Sequence, residues 1–378
     1  MNQGEIVYEN FYISDEEGKT PSIPLYAPDI ALSLDEESDV RPYETYSVEM
    51  RASGFEVMEI QNVQVFAEES SYLPVHPIPT RRQVFEGRDI SNIPDHHLLT
   101  NYGGNNQGQT PHNNGRILSQ IVIPTFITVH LGRPQSNAEN VTVPFLYYLK
   151  NVASSEIYPT WPYEALKANI WAQASLALNR VYTEWYPSQG YDFDITNSTA
   201  FDQAFVKDRN IYSSVAEIVD EVFNQYIQKR NYQEPYYAEY CDGKIADCPG
   251  MKQWGTLTLA NQGYTALQIL RYYYGADVYL ATANRVSGIP ASFPGYNIST
   301  GSRGADVRTI QRQLNAVSSH YPAIPKVSVD GIFGSATAAS VRKFQEVFNL
   351  PVSGIVDSPT WYRLSQIYVA VTRIGELN

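Results

Sequence analysis

Glu156 is the residue of this 378-residue chain whose neighbours could give a carboxyl group unusual chemistry; Ile157 and Tyr158 follow it directly and Trp161 comes soon after. A carboxyl beside apolar rings loses solvation, which raises its pKa and keeps it protonated near neutrality. Such a group could serve as a general acid. The same residues also suit an ordinary loop glutamate, and the side chains alone do not choose between the two. The two cysteines, Cys241 and Cys248, are a second candidate for chemistry. They are too few for a disulfide framework. As a zinc site they supply half a ligand set, and the nearest histidines in sequence are His130 and His320. A loop-closing disulfide, free thiols and zinc all stay open.

Some element must hold Glu156 in place. Pro162 suits the first turn of a helix, where its missing N–H costs nothing. Ala165, Leu166, Ile170, Ala177 and Val181 then recur at helical spacing, which predicts a mostly buried helix running towards Tyr186. Upstream, Tyr46, Val48 and Met50 alternate with polar residues, and Ser53-Gly54 makes a turn before further strand signals from Val57 to Val65. This predicts a small N-terminal β-sandwich, and Tyr46–Phe66 resembles carboxypeptidase-regulatory-like domains. Residues 101–116 are rich in Gly, Asn and Gln without periodicity, the composition of a linker and of a protease-accessible segment.

The net charge of −13 is unevenly spread. Residues 1–80 carry 16 acidic and 3 basic side chains, 81–296 carry 19 and 16, and 297–378 carry 5 and 8. The acidity therefore belongs to the first segment. No dense basic footprint exists for nucleic acid, and no apolar run reaches the roughly 18 residues of a membrane helix. Met1-Asn2-Gln3-Gly4-Glu5 has neither the basic nor the apolar region of a signal peptide. Either the chain stays in the cell that makes it or a leader has been lost. Tyrosine is abundant, at 29 residues, and charged residues make up only 18%. Such a surface suits stacking on sugars, while a large core with polar-tipped aromatics accounts for it equally.

Two motifs narrow these choices. The first is Glu156-Ile157-Tyr158-Pro159 followed by Pro162 and Glu164-Ala165-Leu166-Lys167-Ala168. The second is Gly250-Met251-Lys252-Gln253-Trp254-Gly255, with Ala260-Asn261-Gln262-Gly263-Tyr264 and a helix ending in Tyr272-Tyr273-Tyr274-Gly275. In this order they resemble the opening and closing motifs of the stage II sporulation protein D family. The resemblance implies a lytic transglycosylase of peptidoglycan with Glu156 as its acid. It implies no cofactor. Tyr158, Gln203, Tyr240, Gln253 and Trp254 become candidates for substrate binding, with a buried structural hydrogen bond as the alternative for each. The chain departs from the family at Asn169 and Ala174, where the family has Gln and Arg, and it lacks a histidine before Gly250. Some relatives carry zinc near a loop comparable to Cys241–Cys248.

In the tail, Val307, Ile310 and Leu314 are spaced for one helix, Ala338, Val341, Phe344 and Phe348 for a second, and Leu364 and Tyr368 for a third. Asp330-Gly331 and Phe333-Gly334 make a turn into the second. The segment resembles the three-helix peptidoglycan-binding domain, type 1, which would concentrate the protein on an insoluble polymer.

The combined reading is a multidomain α+β protein. Residues 1–80 form an acidic β-sandwich, 81–120 a linker with a processing site, 121–290 a sporulation-D-like α+β catalytic domain, and 291–378 the binding domain. The arrangement resembles the clostridial spore cortex-lytic enzymes of the SleC family. That resemblance implies a role in germination in the spore cortex or outside the cytoplasm, an inactive precursor, and cleavage by a subtilisin-like protease near residues 100–120. The competing reading is a non-catalytic amidase enhancer or structural spore protein. Six scattered histidines offer no metal cluster for an amidase.

Overall fold

The computed structural model describes residues 10–15, 18–80, 88–99, 121–230, 232–283, 285–286 and 293–372. It divides into two compact units, Tyr26–Ser292 and Met1–Leu25 with Phe293–Asn378.

The larger unit opens with a short helix α1 (Ala31–Leu34) and a sheet in the order β1-β2-β4. β1 (Tyr43–Met50) runs antiparallel to β2 (Val57–Phe66), with a bulge between Tyr46 and Val48. β2 runs parallel to β4 (Arg88–Asn92). The expected sandwich is thus a three-stranded sheet, whose Ile60 and Val63 pack with Ile93, Leu73, Val75 and Val206. Val206 belongs to the central region, which gives this sheet its second layer. Part of the expected linker is also core: after β4, Ile93, His96 and Leu98 are buried. The linker composition applies to residues 101–116, which lie, with the proposed cut at 100–120, outside the described residues.

The junction of sheet and central region is polar. Gln64 of β2 is fully buried, donates to Pro94 O at 2.9 Å and accepts from the buried Arg209 Nη2 at 2.5 Å. Arg209 Nε donates to Ser154 O and Asn210 Nδ2 to Gln64 O. β3 (Ser71–Tyr72) pairs antiparallel with β9 (Ile211–Tyr212). Residues 1–80 and 121–290 therefore do not separate as expected; from Tyr26 onward they share one core.

Helix α3 (Tyr163–Tyr182) lies at the centre of this unit and packs against α2 (Phe145–Glu156), α4 (Ser213–Val222), α5 (Gln253–Asn261), α6 (Ala266–Tyr274) and β10 (Gln225–Lys229). Pro162 caps it, and Ala165, Leu166, Ile170 and Ala177 are buried, with Val181 half-buried. It is enclosed on nearly all sides, so its polar residues must be satisfied internally. Arg180 pairs with Asp202 at 2.7 Å, Asn179 donates to Pro235 O, and Ser175 Oγ accepts from Ile227 N. Around it, β5 (Val122–Ile123) pairs with β14 (Arg285–Val286), and β6 (Phe126–His130) lies between β7 (Asn140–Pro144) and β8 (Ile195–Thr196). β10 pairs with β13 (Val278–Thr282), and β11 (Tyr240–Cys241) runs parallel to β12 (Met251–Lys252).

The smaller unit contains α7 (Ala305–Ser318), α8 (Ser335–Val347) and α9 (Ser358–Thr372) around Val307, Ile310, Leu314, Phe333, Val341, Phe344, Trp361 and Leu364. One device occurs twice. Gln311 of α7 accepts from Gly331 N at 2.8 Å and donates to Ile332 O at 3.0 Å. Gln345 of α8 accepts from Gly354 N at 2.8 Å and donates to Ile355 O at 2.9 Å. Both glycines have positive φ, +77° and +74°, which a residue with a Cβ adopts only at a cost. Each buried glutamine therefore fixes the turn that feeds the next helix.

Gln64→Ala should destabilise the full chain by about 2 kcal/mol, because Arg209 keeps its burial and loses a partner. Urea unfolding measures this, and a change under about 0.5 kcal/mol would mean the junction is not held this way.

Candidate active site

Glu156 is the last residue of α2, a helix the sequence reading does not anticipate. Almost every side chain of α2 is buried, including Lys150, Asn151 and Ser155, so it has no polar face to signal it. Lys150 pairs with Asp220, Asn151 Nδ2 donates to Val206 O, and Ser155 Oγ donates to Asn151 O. Ile157 is extended (φ −129°, ψ 145°) and ends the helix, leaving the Glu156 carboxyl inside the unit at 1% exposure.

Three donors converge on that carboxyl. Ala204 N–H donates to Oε1 at 2.7 Å, and Gln173 Nε2 and Tyr240 OH donate to Oε2 at 2.8 and 2.5 Å. Burial pushes the Glu156 carboxyl up to about 7, and the Tyr240, Ala204 and Gln173 hydrogen bonds hold it from rising further. Behind this lies a relay: Tyr148 OH donates to Gln203 Oε1, and Gln203 Nε2 donates to Tyr240 OH and Gln173 O. Burial beside Glu156 lifts Tyr240 well above the usual tyrosine range, so it stays a hydroxyl and a donor.

The structure thus brings Glu156, Gln203 and Tyr240 together. Gln203 and Tyr240 reach the carboxyl itself or the hydroxyl that holds it. The sequence reading misses Gln173 and the Ala204 N–H. Gln173 stands one helical turn after Asn169; a polar pair at that spacing on a buried helix is the signal that could have found it.

Tyr158, Trp161 and Trp254 form a separate aromatic cluster with ring centroids 5.0–6.1 Å apart. None of the three is more than 4% exposed. Residues of the N-terminal segment cover them. Trp161 Nε1 donates to Ser33 O at 2.9 Å, Thr160 Oγ1 donates to Ser33 Oγ at 2.7 Å, and the His96 ring lies 4.7 Å from Tyr158. His97 N–H donates to Ser155 O, and Lys244 Nζ to Glu36 O.

Cys241 and Cys248 form a disulfide, which replaces the free-thiol and zinc alternatives. It closes the loop immediately after Tyr240. Inside that loop Asp242 Oδ1 accepts from the N–H groups of Lys244, Ile245 and Ala246 at 2.7–2.9 Å. Gly250 returns the chain beside β11, where a Cβ would collide with the Glu239 carbonyl. Gln253 then begins α5, fully buried. Among the described residues no group of three or more His, Cys, Asp or Glu side chains could hold a metal. The other buried carboxylates described are committed: Asp202 to Arg180, Tyr186 and Thr196, Asp220 to Lys150, and Asp242 to its loop.

Residues 303–364 match the family described as "Putative peptidoglycan binding domain". The tail is a peptidoglycan-binding domain. Such a domain gives the chain a cell-wall-related role and fits a wall-associated protein. A solved structure titled "The crystal structure of SleB N-terminal domain" is 34% identical over 20% of this chain and 99% of its own, with a TM-score of 0.18. No curated protein matches the chain. Among the described residues no helix is long and apolar enough to cross a membrane.

The raised carboxyl predicts a pH-dependent stability. Native Glu156 keeps its proton up to about pH 7, whereas unfolded Glu releases it near 4.5. The native state therefore binds more protons in that window, and stability falls as pH rises through it. Glu156→Gln should flatten this fall, worth up to about 3 kcal/mol, in denaturation curves taken at pH 5 and pH 8. Parallel pH slopes in the two proteins would contradict the assignment. Tyr240→Phe removes a donor that holds the pKa down, so it should extend the fall to higher pH.

Proposed function

We propose that the chain is a peptidoglycan lytic transglycosylase. The observation that carries this reading is the buried carboxyl of Glu156, balanced between its charged and neutral forms, while Asp202, Asp220 and Asp242, the other buried carboxylate residues among those described, are committed elsewhere. Ordinary glycosidases need two carboxylates flanking the scissile bond. A transglycosylase needs one. The neutral Glu156 protonates the oxygen leaving C1 of a muramic acid residue. That sugar's own 6-hydroxyl attacks C1 and returns its proton to the Glu156 carboxylate. The products are a 1,6-anhydro end and a free 4-hydroxyl, with no water consumed. A pKa near 7 suits a group that gives and then recovers a proton, and the donors from Ala204, Gln173 and Tyr240 stabilise the carboxylate between the two steps.

Within this reading, residues 121–290 are the catalytic region and residues 291–378 dock it on glycan. The acidic N-terminal part acts as a regulatory segment and spore cortex as the substrate during germination. The cover made by Ser33, His96 and His97 supports a precursor that awaits removal of this segment by a subtilisin-like protease.

Mass spectrometry of muropeptides released from purified cortex, by the intact and the protease-treated chain, tests the reading. Wild type should release anhydro-muramic ends and Glu156→Gln at least about a hundredfold fewer. Reducing ends or free stem peptides would name a different bond. No product from treated wild type would favour the amidase enhancer.

A further inference from the structure

The Cys241–Cys248 disulfide begins one residue after the tyrosine that holds Glu156, and the reaction above does not use it. Tyr240 and Cys241 make up β11, a strand paired only through Tyr240–Met251 and Cys241–Lys252. So short a ladder fixes a strand weakly. The cross-link closes the loop that follows and restricts how far β11 can shift.

Two features set this bond apart from a purely structural one. The first is that its sulfurs are unequal. Cys241 is buried, at 8% exposure, while Cys248 is half-buried. The Lys252 ammonium lies 3.8 Å from Cys241 Sγ, and it also pairs with Asp247 and donates to Cys248 O. A thiol that reaches Cys248 therefore expels Cys241 as a thiolate beside a cation, which eases its departure. The second is that the loop has its own hydrogen bonds. Asp242 Oδ1 accepts from the N–H groups of Lys244, Ile245 and Ala246, and Gly243 N–H donates to Ala246 O. Trp254 N–H donates to Asp242 O and keeps the loop seated on α5. Reduction thus loosens the tether and spares the loop, leaving the sulfurs close enough to rejoin.

We propose that Cys241–Cys248 is a reducible site through which a dithiol controls Glu156. A thiolate of the dithiol attacks Cys248 Sγ and forms a new S–S bond. The Cys241–Cys248 bond breaks, and Cys241 leaves as a thiolate that takes up the proton released by the attacking thiol. The second thiol of the reagent then displaces Cys248, giving a cyclic disulfide and a second protein thiol. Two electrons pass from the dithiol to the protein, and no other co-reactant is needed. With the tether open, Tyr240 loses its fixed position and its donation to Glu156 Oε2 weakens. Burial raises the Glu156 carboxyl, and Tyr240 is the strongest of the three donors that hold it down. The reduced protein therefore gives up the Glu156 proton less readily and stabilises its carboxylate less between the two steps. The effect on catalysis rests on the lytic reading, while the effect on the carboxyl does not.

Dithiothreitol is the probe, and because the chain has two cysteines it has no other disulfide to open. Carboxyl NMR of the full chain should place the Glu156 midpoint near pH 7 when oxidised. The midpoint should lie at least about half a pH unit higher when reduced and return on reoxidation. An unchanged midpoint overturns the proposal. So does a reduced chain that no longer melts cooperatively, because the bond is then structural only. Cys248→Ser should keep the raised midpoint with or without dithiothreitol, and an unraised one counts against the tether. Lys252→Gln should slow reduction at least about threefold, and an unchanged rate overturns the role of Lys252. On cortex, protease-treated protein should release anhydro ends at least about fivefold more slowly when reduced and recover on reoxidation. Equal rates overturn control of the reaction. If neither state releases anything, the lytic reading fails and the midpoint alone decides the site.

Discussion

The arrangement around Glu156 depends on a conflict between burial and hydrogen bonding. Removing a carboxylate from water favours its neutral form, while three donors aimed at its oxygens favour the charged one. Neither wins outright, and the group titrates at about 7. Much of the larger unit serves this balance. Helix α2 carries Glu156 inward, α3 supplies Gln173, the 203–204 turn supplies a side chain and an N–H, and β11 supplies Tyr240. The Cys241–Cys248 disulfide and the Asp242 loop cap hold the segment that follows Tyr240.

The N-terminal segment is part of the same construction. Its sheet shares a core with the central region through Gln64 and Arg209, and its residues 30–37 and 93–99 lie over the aromatic cluster and the end of α2. Cover and scaffold are thus one piece of chain.

How far this was legible in the sequence differs by region. The tail read clearly because its helices are amphipathic and its turns require glycine, so apolar spacing and Gly331 both report directly on structure. Helix α3 read well from Pro162 and the spacing after it. Helix α2 did not, because a helix buried on every side carries Lys150, Asn151 and Ser155 inward and loses its periodic signal. The acidic segment read as a separate sandwich because one strand pattern cannot reveal that its second layer comes from Val206, more than a hundred residues later. Glu156 stands in a local motif, and the family resemblance makes Gln203 and Tyr240 candidates for sugar contact. Their actual contact, the carboxyl system, depends on long-range packing. Gln173 was missed for the same reason. The cysteine pair could be paired only once the fold brought its sulfurs together.

The central claim is that Glu156 carries its proton into the neutral range. Carbon NMR of the full chain, with carboxyl-labelled glutamate and the Glu156 signal assigned by its loss in Glu156→Gln, measures this directly. The account predicts a midpoint near pH 7. A midpoint near the ordinary glutamate value of 4.5 would contradict it, leaving Glu156 a permanent carboxylate at neutral pH and no acid to open the glycosidic bond.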